Sequence, residues 1–367
     1  MGVLFLTNYP SPYRVHFFDE LGKLTDVTVL FFDRKEEKTH RDAKWFVQSQ
    51  GNFQMVQLGE KRIRLRGREV CLDVLDWLKK PWDAIVVCGY SAPTTMLAIH
   101  WLHAKKIPFY MEVDGGLIRQ DSRMKYLFKK SLVSKANFWL STGRETTRYL
   151  VHYGAREEDT LVYPFTSLYE KDLLAAVVSR EEKQSLREKL GIREEKVVLS
   201  IGQFIHRKGF DVLLEAAEKL DRETGIYIVG GEATEEYIRM RSRLGLEKNV
   251  HFVGFQTKEQ LALYYKAADL FVLPTREDIW GLVVNEAMAH GLPVVTTNGC
   301  VAGMELVENG ISGYVVPVND AEALAEKMQL VLSGDCAAMG AAALERIRPY
   351  TLENMAKTHG MIFENRR

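Results

Sequence analysis

Cysteine is scarce in this sequence: Cys71, Cys88, Cys300 and Cys336 stand far apart with no Cys-x-x-Cys among them. That excludes a disulfide scaffold and speaks against a zinc site or a redox pair. Apolar residues never run together for the roughly 18 positions a membrane helix needs. No basic leader or small-residue cleavage site precedes the apolar run Val3–Leu6, so the chain reads as cytoplasmic rather than secreted. Internal repeats and low-complexity segments are missing, which argues against rods and solenoids. Net charge is missing too, with 49 Lys and Arg against 49 Asp and Glu. The balance conceals an asymmetry: residues 1–165 hold 25 basic against 19 acidic side chains, and the remainder is acidic by the same margin. A basic half joined to an acidic half suggests that one domain meets an anionic ligand or surface.

What is present fits two globular domains. The chain has 367 residues, 46% of them apolar. Short β-type runs alternate with amphipathic stretches, the pattern of parallel α/β domains. Strands are expected at 3–7, 27–32, 53–58, 84–88, 108–113 and 138–141, with helical stretches at 68–79, 93–104 and 123–134 among them. A second series opens at 196–201 and continues at 226–230, 250–253, 270–273 and 293–296, with helices at 211–220 and 257–267. The boundary falls near Tyr163–Ser167, giving domains 1–165 and 166–350. Each is Rossmann-like, and ligands of such sheets bind at the carboxyl ends of the strands, here in a cleft between two facing domains.

The most informative stretch runs from Pro274 to Val295: a buried strand, a loop, a helix from about Gly281 to His290, and a new strand. The first turn of that helix leaves the amides of Gly281, Leu282 and Val283 without intrahelical partners, and with the helix dipole they favour an anion. Glu286 leans back toward the same end and suits a pair of ribose hydroxyls. Asp278 lies eight positions earlier and could hold a sugar hydroxyl. Gly202-Gln-Phe-Ile-His-Arg-Lys-Gly209 follows another strand, and its Arg207 and Lys208 are placed to neutralise a diphosphate, one as a planar fork and one as a point charge. Taken singly, each motif also fits an ordinary acidic helix start or a solvated basic loop.

In combination these residues resemble the retaining GT-B glycosyltransferases of family 4, also described as glycosyl transferases group 1. The resemblance is strongest from Val197 to Pro317 and includes Val250–Phe255 and Glu308–Pro317. Two departures stand out. The family pattern is usually Glu-x7-Glu, where this chain has Asp278, and Gly230-Gly231-Glu232 replaces a fuller Gly-x-Gly turn. The resemblance implies a donor site of Gly202, Arg207, Lys208, Gln256, Asp278, Trp280, Gly281, Leu282, Val283 and Glu286. It also implies that Thr351–Arg367 is a helix crossing back onto the first domain.

In the first half, the loop Asn8–Arg14 and the turn Gly89–Ser91 both follow strands. By the resemblance such loops meet the acceptor, which makes Asn8, Tyr13, Arg14 and Tyr90 acceptor candidates, beside the alternative that both are plain turns. At the strand ending at Val113 the resemblance implies a carboxylate that meets the acceptor or the transferred sugar, matched by Asp114, or by Glu112 if the register slips; the alternative is a turn acid capping Gly115-Gly116. Met124, Leu127, Phe128 and Leu132 share a helix face flanked by Arg123, Lys125, Lys129, Lys130 and Lys135. Either that face packs in a core, or it meets anionic lipid or a polyprenyl-diphosphate acceptor. The run Lys61–Arg68 adds five cations, yet no zinc-finger or RNA-binding signature accompanies it, so nucleic acid is not expected.

The expected activity is retaining transfer of a sugar from a nucleoside diphosphate donor, UDP ahead of GDP, to a hydroxyl of a glycan or lipid-linked acceptor. Asp278, Glu286, Arg207, Lys208 and Asp114 would carry it. The sugar nucleotide enters as substrate and no other cofactor is expected. With no Asp-x-Asp, no metal is expected either. A sugar-nucleotide epimerase and a non-catalytic sugar-nucleotide-binding protein are the alternatives. A dinucleotide oxidoreductase is disfavoured because no Gly-x-Gly-x-x-Gly follows a strand.

Overall fold

The computed structural model describes residues 1–33, 51–65 and 67–365. Arg66 of the Lys61–Arg68 run, and the last two residues of Thr351–Arg367, lie outside the described residues. The chain divides into two compact units, Met1–Tyr169 with Tyr350–Arg367, and Glu170–Pro349.

The first unit contains β1 (Gly2–Thr7), α1 (Pro12–Gly22), β2 (Asp26–Phe31), β3 (Gln54–Gln57), β4 (Arg62–Leu65), β5 (Arg68–Cys71), α2 (Val74–Leu78), β6 (Ala84–Cys88), α3 (Pro93–Lys105), β7 (Tyr110–Val113), α4 (Arg123–Val133), β8 (Phe138–Ser141), α5 (Arg144–His152) and β9 (Thr160–Val162). Among the described residues, seven strands form one parallel sheet in the order β3-β2-β1-β6-β7-β8-β9, and β4 and β5 form a separate antiparallel pair. Val3, Leu4, Phe5 and Leu6 are all fully buried, as a central strand covered on both faces must be.

The helix expected over 68–79 is a correction. Residues 68–71 are strand, and only Val74–Leu78 is helical. Arg62, Ile63, Arg64 and Leu65 pair with Cys71, Val70, Glu69 and Arg68, and that ladder wins over the helical spacing of Leu72, Leu75 and Leu78.

The second unit contains α6 (Arg180–Leu190), β10 (Lys196–Ile201), α7 (Phe210–Ala217), β11 (Thr224–Val229), α8 (Glu235–Arg243), β12 (Val250–Val253), α9 (Lys258–Ala267), β13 (Leu270–Leu273), α10 (Leu282–Ala289), β14 (Val294–Thr297), α11 (Val301–Leu306), β15 (Gly313–Val316), α12 (Ala321–Ser333) and α13 (Cys336–Ile347). Its parallel sheet has the order β12-β11-β10-β13-β14-β15. Caps set the helix ends: Ser179 receives the Glu182 amide at the start of α6, and Gly191 takes the left-handed conformation that stops it. Thr257 and Gln260 form a reciprocal capping box on α9. The last helix, α14 (Leu352–Asn365), belongs to the first unit and packs on α1.

Strand order locates the sites. In the first sheet the chain runs outward from β1 to β3 and returns on the other side of β1 as β6. In the second it runs outward from β10 to β12 and returns beside β10 as β13. Loops following the two strands at such a reversal splay apart and leave a crevice. Those loops carry Asn8–Arg14 and Gly89–Tyr90 in one unit, and Gly202–Gly209 and Pro274–Gly281 in the other.

Candidate functional site

In the second unit the loops after β10 and β13 are tied together before they present anything to a ligand. Gly209 has φ +69°, and a Cβ there would fall 2.1 Å from the Pro274 carbonyl oxygen, so only glycine lets the two loops approach this closely. The Arg207 carbonyl accepts from the Arg276 amide at 2.8 Å and from the Thr275 hydroxyl at 3.0 Å. Arg276 in turn donates to the His206 carbonyl at 2.6 Å and forks onto Asp211. Burial would push the Asp211 carboxyl up, but the hydrogen bond and charge of Arg276 hold it below the usual carboxylate range.

This scaffold brings together three residues that the sequence set 70 positions apart. Lys208 Nζ lies 2.6 Å from Asp278 Oδ2. Arg207 Nη1 lies 3.6 Å from the other oxygen and donates to the Glu277 carbonyl at 2.6 Å. Lys208 and Asp278 are mostly buried, while Arg207 is open to solvent.

The Asp278 backbone is pinned through its amide to the Gly299 carbonyl at 2.7 Å, and its carbonyl accepts from Val301 at 3.2 Å. Gly281 then turns the chain into α10 with φ +103°, a conformation that a Cβ 2.7 Å from Cys300 Sγ would also obstruct. The helical ladder starts with the Val284 amide on the Gly281 carbonyl at 2.8 Å. The amides of Gly281, Leu282 and Val283 therefore have no acceptor within the helix, and they stand at its positive end.

Further in, Glu286 is half-buried and accepts from the Tyr265 hydroxyl at 3.0 Å, while the Tyr265 ring stacks on His290 at 4.8 Å. Tyr265, on α9, went unseen in the sequence, because nothing in its local pattern points to a partner 21 residues on. Trp280 is buried with Nε1 donating to Asn285 Oδ1 at 2.9 Å, so its indole braces the turn instead of facing a ligand. The Cys300 thiol donates to the Trp280 carbonyl at 3.2 Å; burial, reinforced by the Asp278 charge, pushes it up to about 12 and keeps it protonated. Gly202 closes β10 with its amide on the Val229 carbonyl at 3.0 Å. Gln256, beyond β12, donates to the Gly254 carbonyl at 3.3 Å.

The first unit gathers a second cluster around one buried guanidinium. Arg14, in the first turn of α1, places Nη1 2.7 Å from Glu112 Oε2 and Nη2 on Asp114 Oδ1. Glu112 lies within β7 and is fully buried, whereas the Asp114 side chain just past the strand keeps 22% of its surface. The structure thus separates the two carboxylates that the sequence left as alternatives: Glu112 faces inward and Asp114 keeps a part of its side chain in solvent. Arg14 and Glu112, both expected to touch the acceptor, are instead buried. Their place is to hold Asp114.

Tyr13 donates to Asp114 Oδ2 at 3.3 Å, and the Cys88 thiol donates to Glu112 Oε2 at 2.9 Å. From α14, His359 gives its Nδ1 proton to the Met355 carbonyl at 2.8 Å and turns Nε2 toward Glu112 Oε1 at 3.6 Å. That histidine also went unseen, although its helix was expected to cross back. Burial opposes ionisation of Glu112, but Arg14 and His359 hold it far below the carboxylate range. Asp114 is shifted the other way, by burial and by the Glu112 charge, against the pull of Arg14. The Tyr90 hydroxyl meets that of Tyr149, and the exposed Asn8 uses its backbone carbonyl to receive the amides of Phe32 and Asp33 at 3.1 and 2.9 Å.

Parts of the sequence, and the fold, are similar to those of known proteins. Residues 182–346, all in the second unit, match the family described as glycosyl transferases group 1. The D-inositol 3-phosphate glycosyltransferase of Corynebacterium aurimucosum is 28% identical over 246 residues, covering 63% of this chain and 57% of that protein. An uncharacterized glycosyltransferase of Methanocaldococcus jannaschii is 32% identical over 161 residues, 42% of this chain and 41% of its own. The chain therefore spans roughly half the length of these curated relatives. Anabaena HepE, solved in complex with UDP, superposes with a TM-score of 0.77 at 18% identity over the whole of both chains. Sucrose-phosphate synthase from Thermosynechococcus elongatus gives 0.75 at 20% identity, over 100% of this chain and 98% of that one. The fold is that of the GT-B glycosyltransferases.

Proposed function

We propose that this protein is a retaining glycosyltransferase of family 4 that moves a sugar from a UDP-sugar, ahead of a GDP-sugar, to a hydroxyl of a glycan or lipid-linked acceptor. Cell-surface polysaccharide or glycolipid synthesis is the process such an acceptor implies. One observation carries the reading: Lys208 and Asp278 meet at 2.6 Å at the reversal of strand order, beside the amides that open α10. A cation and a helix N-terminus together suit a diphosphate. The carboxylate between them suits a sugar hydroxyl. UDP is favoured because HepE was solved in complex with UDP.

In this reading Arg207, the more exposed of the pair, and Lys208 take the donor phosphates. Glu286, oriented by Tyr265, takes the ribose hydroxyls, and Asp278 the transferred sugar. Charge that develops on the leaving phosphate is met by groups already in place, which is electrostatic stabilisation without a covalent intermediate. In the first unit Asp114, held by Arg14 and Tyr13, contacts the acceptor or the transferred sugar. The leaving phosphate itself takes the acceptor proton, and the anomeric configuration is retained.

A thermal-shift panel of UDP, GDP and ADP on the wild type and Glu286→Ala tests the donor site. UDP at a hundred times its dissociation constant should add about 2.7 kcal/mol of stability to the wild type and much less to the variant. Equal shifts in both proteins would remove Glu286 from the site. Sugar transfer should also persist in excess EDTA, and its abolition with recovery on adding magnesium would show that a metal is required.

A further inference from the structure

Helix α4 buries one side and leaves the other apolar. Leu132 and Val133 enter the core of the first unit, and Tyr126 packs against that core while its hydroxyl donates to the His152 carbonyl at 3.3 Å. On the outer side Met124 is 82% exposed, and Leu127 and Phe128 are each 51% exposed. Their spacing of three and four residues puts them in one stripe. Residues 119–135 hold six cations (Arg119, Arg123, Lys125, Lys129, Lys130 and Lys135) against the single carboxylate of Asp121. Asp121 draws Lys125 to 2.9 Å and Lys129 to 2.8 Å; Lys129 also donates to the Tyr153 hydroxyl at 3.2 Å and turns to the core side, so Arg119, Arg123, Lys125 and Lys130 are the exposed cations around the stripe. Lys130 lies 5.8 Å from the Tyr126 ring centroid.

We infer that this face of α4 docks the protein on an anionic lipid bilayer, with Met124, Leu127 and Phe128 entering the interface and the surrounding cations meeting lipid phosphates. A large apolar side chain left fully in water next to other apolar groups marks an interaction surface. The positive collar selects the partner. A second copy of the same face would bring like charges together, whereas anionic headgroups complement them while the acyl boundary takes the stripe. Topology adds a consequence. The chain leaves the carboxyl edge of β7 through Asp114 and enters α4 at Arg123, so the helix begins on the same edge of the sheet as Asp114. A bilayer engaged there would lie at that edge of the sheet.

The inference does not depend on sugar transfer, and its test uses none. Vesicles of mixed phosphatidylglycerol and phosphatidylcholine should sediment the full-length protein, and vesicles of phosphatidylcholine alone should sediment it at least about tenfold less, with binding that weakens as salt rises. The triple variant Met124→Ser, Leu127→Ser, Phe128→Ser should keep its melting temperature, because all three side chains are exposed, and lose about tenfold or more of the anionic-vesicle binding. Arg123→Glu with Lys130→Glu should abolish the preference for anionic lipid. Three results would overturn the inference: a wild type that stays in the supernatant, a triple variant that binds as the wild type does, or a dimer in sedimentation velocity that the triple variant disperses while neither protein binds vesicles.

Discussion

Lys208→Ala is expected to lower kcat/KM for the sugar nucleotide by about a hundred- to a thousandfold, the scale seen when one preorganised group facing developing charge is removed. The effect has two parts. The leaving phosphate loses a cation fixed before the reaction, and Asp278, which now sits 2.6 Å from that cation, is left with only Arg207 at 3.6 Å. A carboxylate so exposed repels the diphosphate it stands beside, so KM should rise as well as kcat fall. Lys208→Arg keeps the charge but not the compact reach of an ammonium, and should fall between the two. Folding should barely respond, because the loops are held independently by Arg276 and the Gly209–Pro274 approach. Initial-rate kinetics with a melting-temperature control decide the matter. A rate within tenfold of the wild type would remove Lys208 from the donor site.

Arg14→Leu should be the most destabilising single change at either cluster, by about 3–5 kcal/mol, the cost of leaving a buried partner charged and alone. Glu112 would keep Cys88 and a distant His359 but lose the cation at 2.7 Å. Adding Glu112→Leu to Arg14→Leu should recover part of the loss, since an apolar pair replaces an unpaired charge. The pH dependence gives a sharper test.

Glu112 has a depressed folded pKa, so its contribution to stability is complete above the ordinary carboxyl value of about 4.3 and fades as pH falls through the folded value. Asp114 is raised and acts in the opposite sense: its contribution is complete below the ordinary value of about 3.9 and is lost as pH rises through the folded value. In Arg14→Leu the chief cause of the Glu112 depression is gone, and the protonated acid becomes the favoured buried form. The deficit of the variant against the wild type should therefore shrink as pH drops from neutral toward 4. Denaturant titrations across that range measure it, and a constant deficit would show that the guanidinium acts only by filling space.

Much of this architecture was legible in the sequence, for physical reasons that differ by element. The runs Ala84–Cys88, Phe138–Ser141, Lys196–Ile201, Val250–Val253 and Leu270–Leu273 are apolar, short and bounded by turn residues, and each is a strand with those bounds. Four strands did not show: Arg62–Leu65 and Arg68–Cys71, whose antiparallel pairing the helical spacing of the leucines masked, and two more. Thr160–Val162 is too short to establish a period, and Gly313–Val316 hides in a Gly-rich segment. Where Arg207, Lys208 and Asp278 sit relative to their strands was also readable, because loop position follows from strand order.

Side-chain direction was not readable. Arg14 and Glu112 lie 98 residues apart, and no local pattern announces that a guanidinium in the first turn of α1 will be swallowed by β7. Trp280 stands among the donor contacts that the resemblance implied, yet the fold turns its indole inward onto Asn285. Periodicity places a residue on an element; which carboxylate reaches water is settled by distant packing.

The return of α14 to the first unit sets an order of events during synthesis. Phe363 reaches Phe5 at 6.2 Å and Tyr110 at 5.2 Å, while His359 lies 4.7 Å from Phe17 and 4.5 Å from Tyr163. The second unit is contiguous, so every contact internal to it is available once Pro349 has emerged from the ribosome. The first unit, although made earlier, must wait with an open flank and a half-enclosed Glu112 until residues 352–365 arrive. The usual sequence, in which the amino-terminal domain matures first, is reversed. During that interval the half-built sheet exposes Phe5, Phe17 and Tyr110, so nascent-chain chaperones have most to protect at the start of the chain and latest in its making.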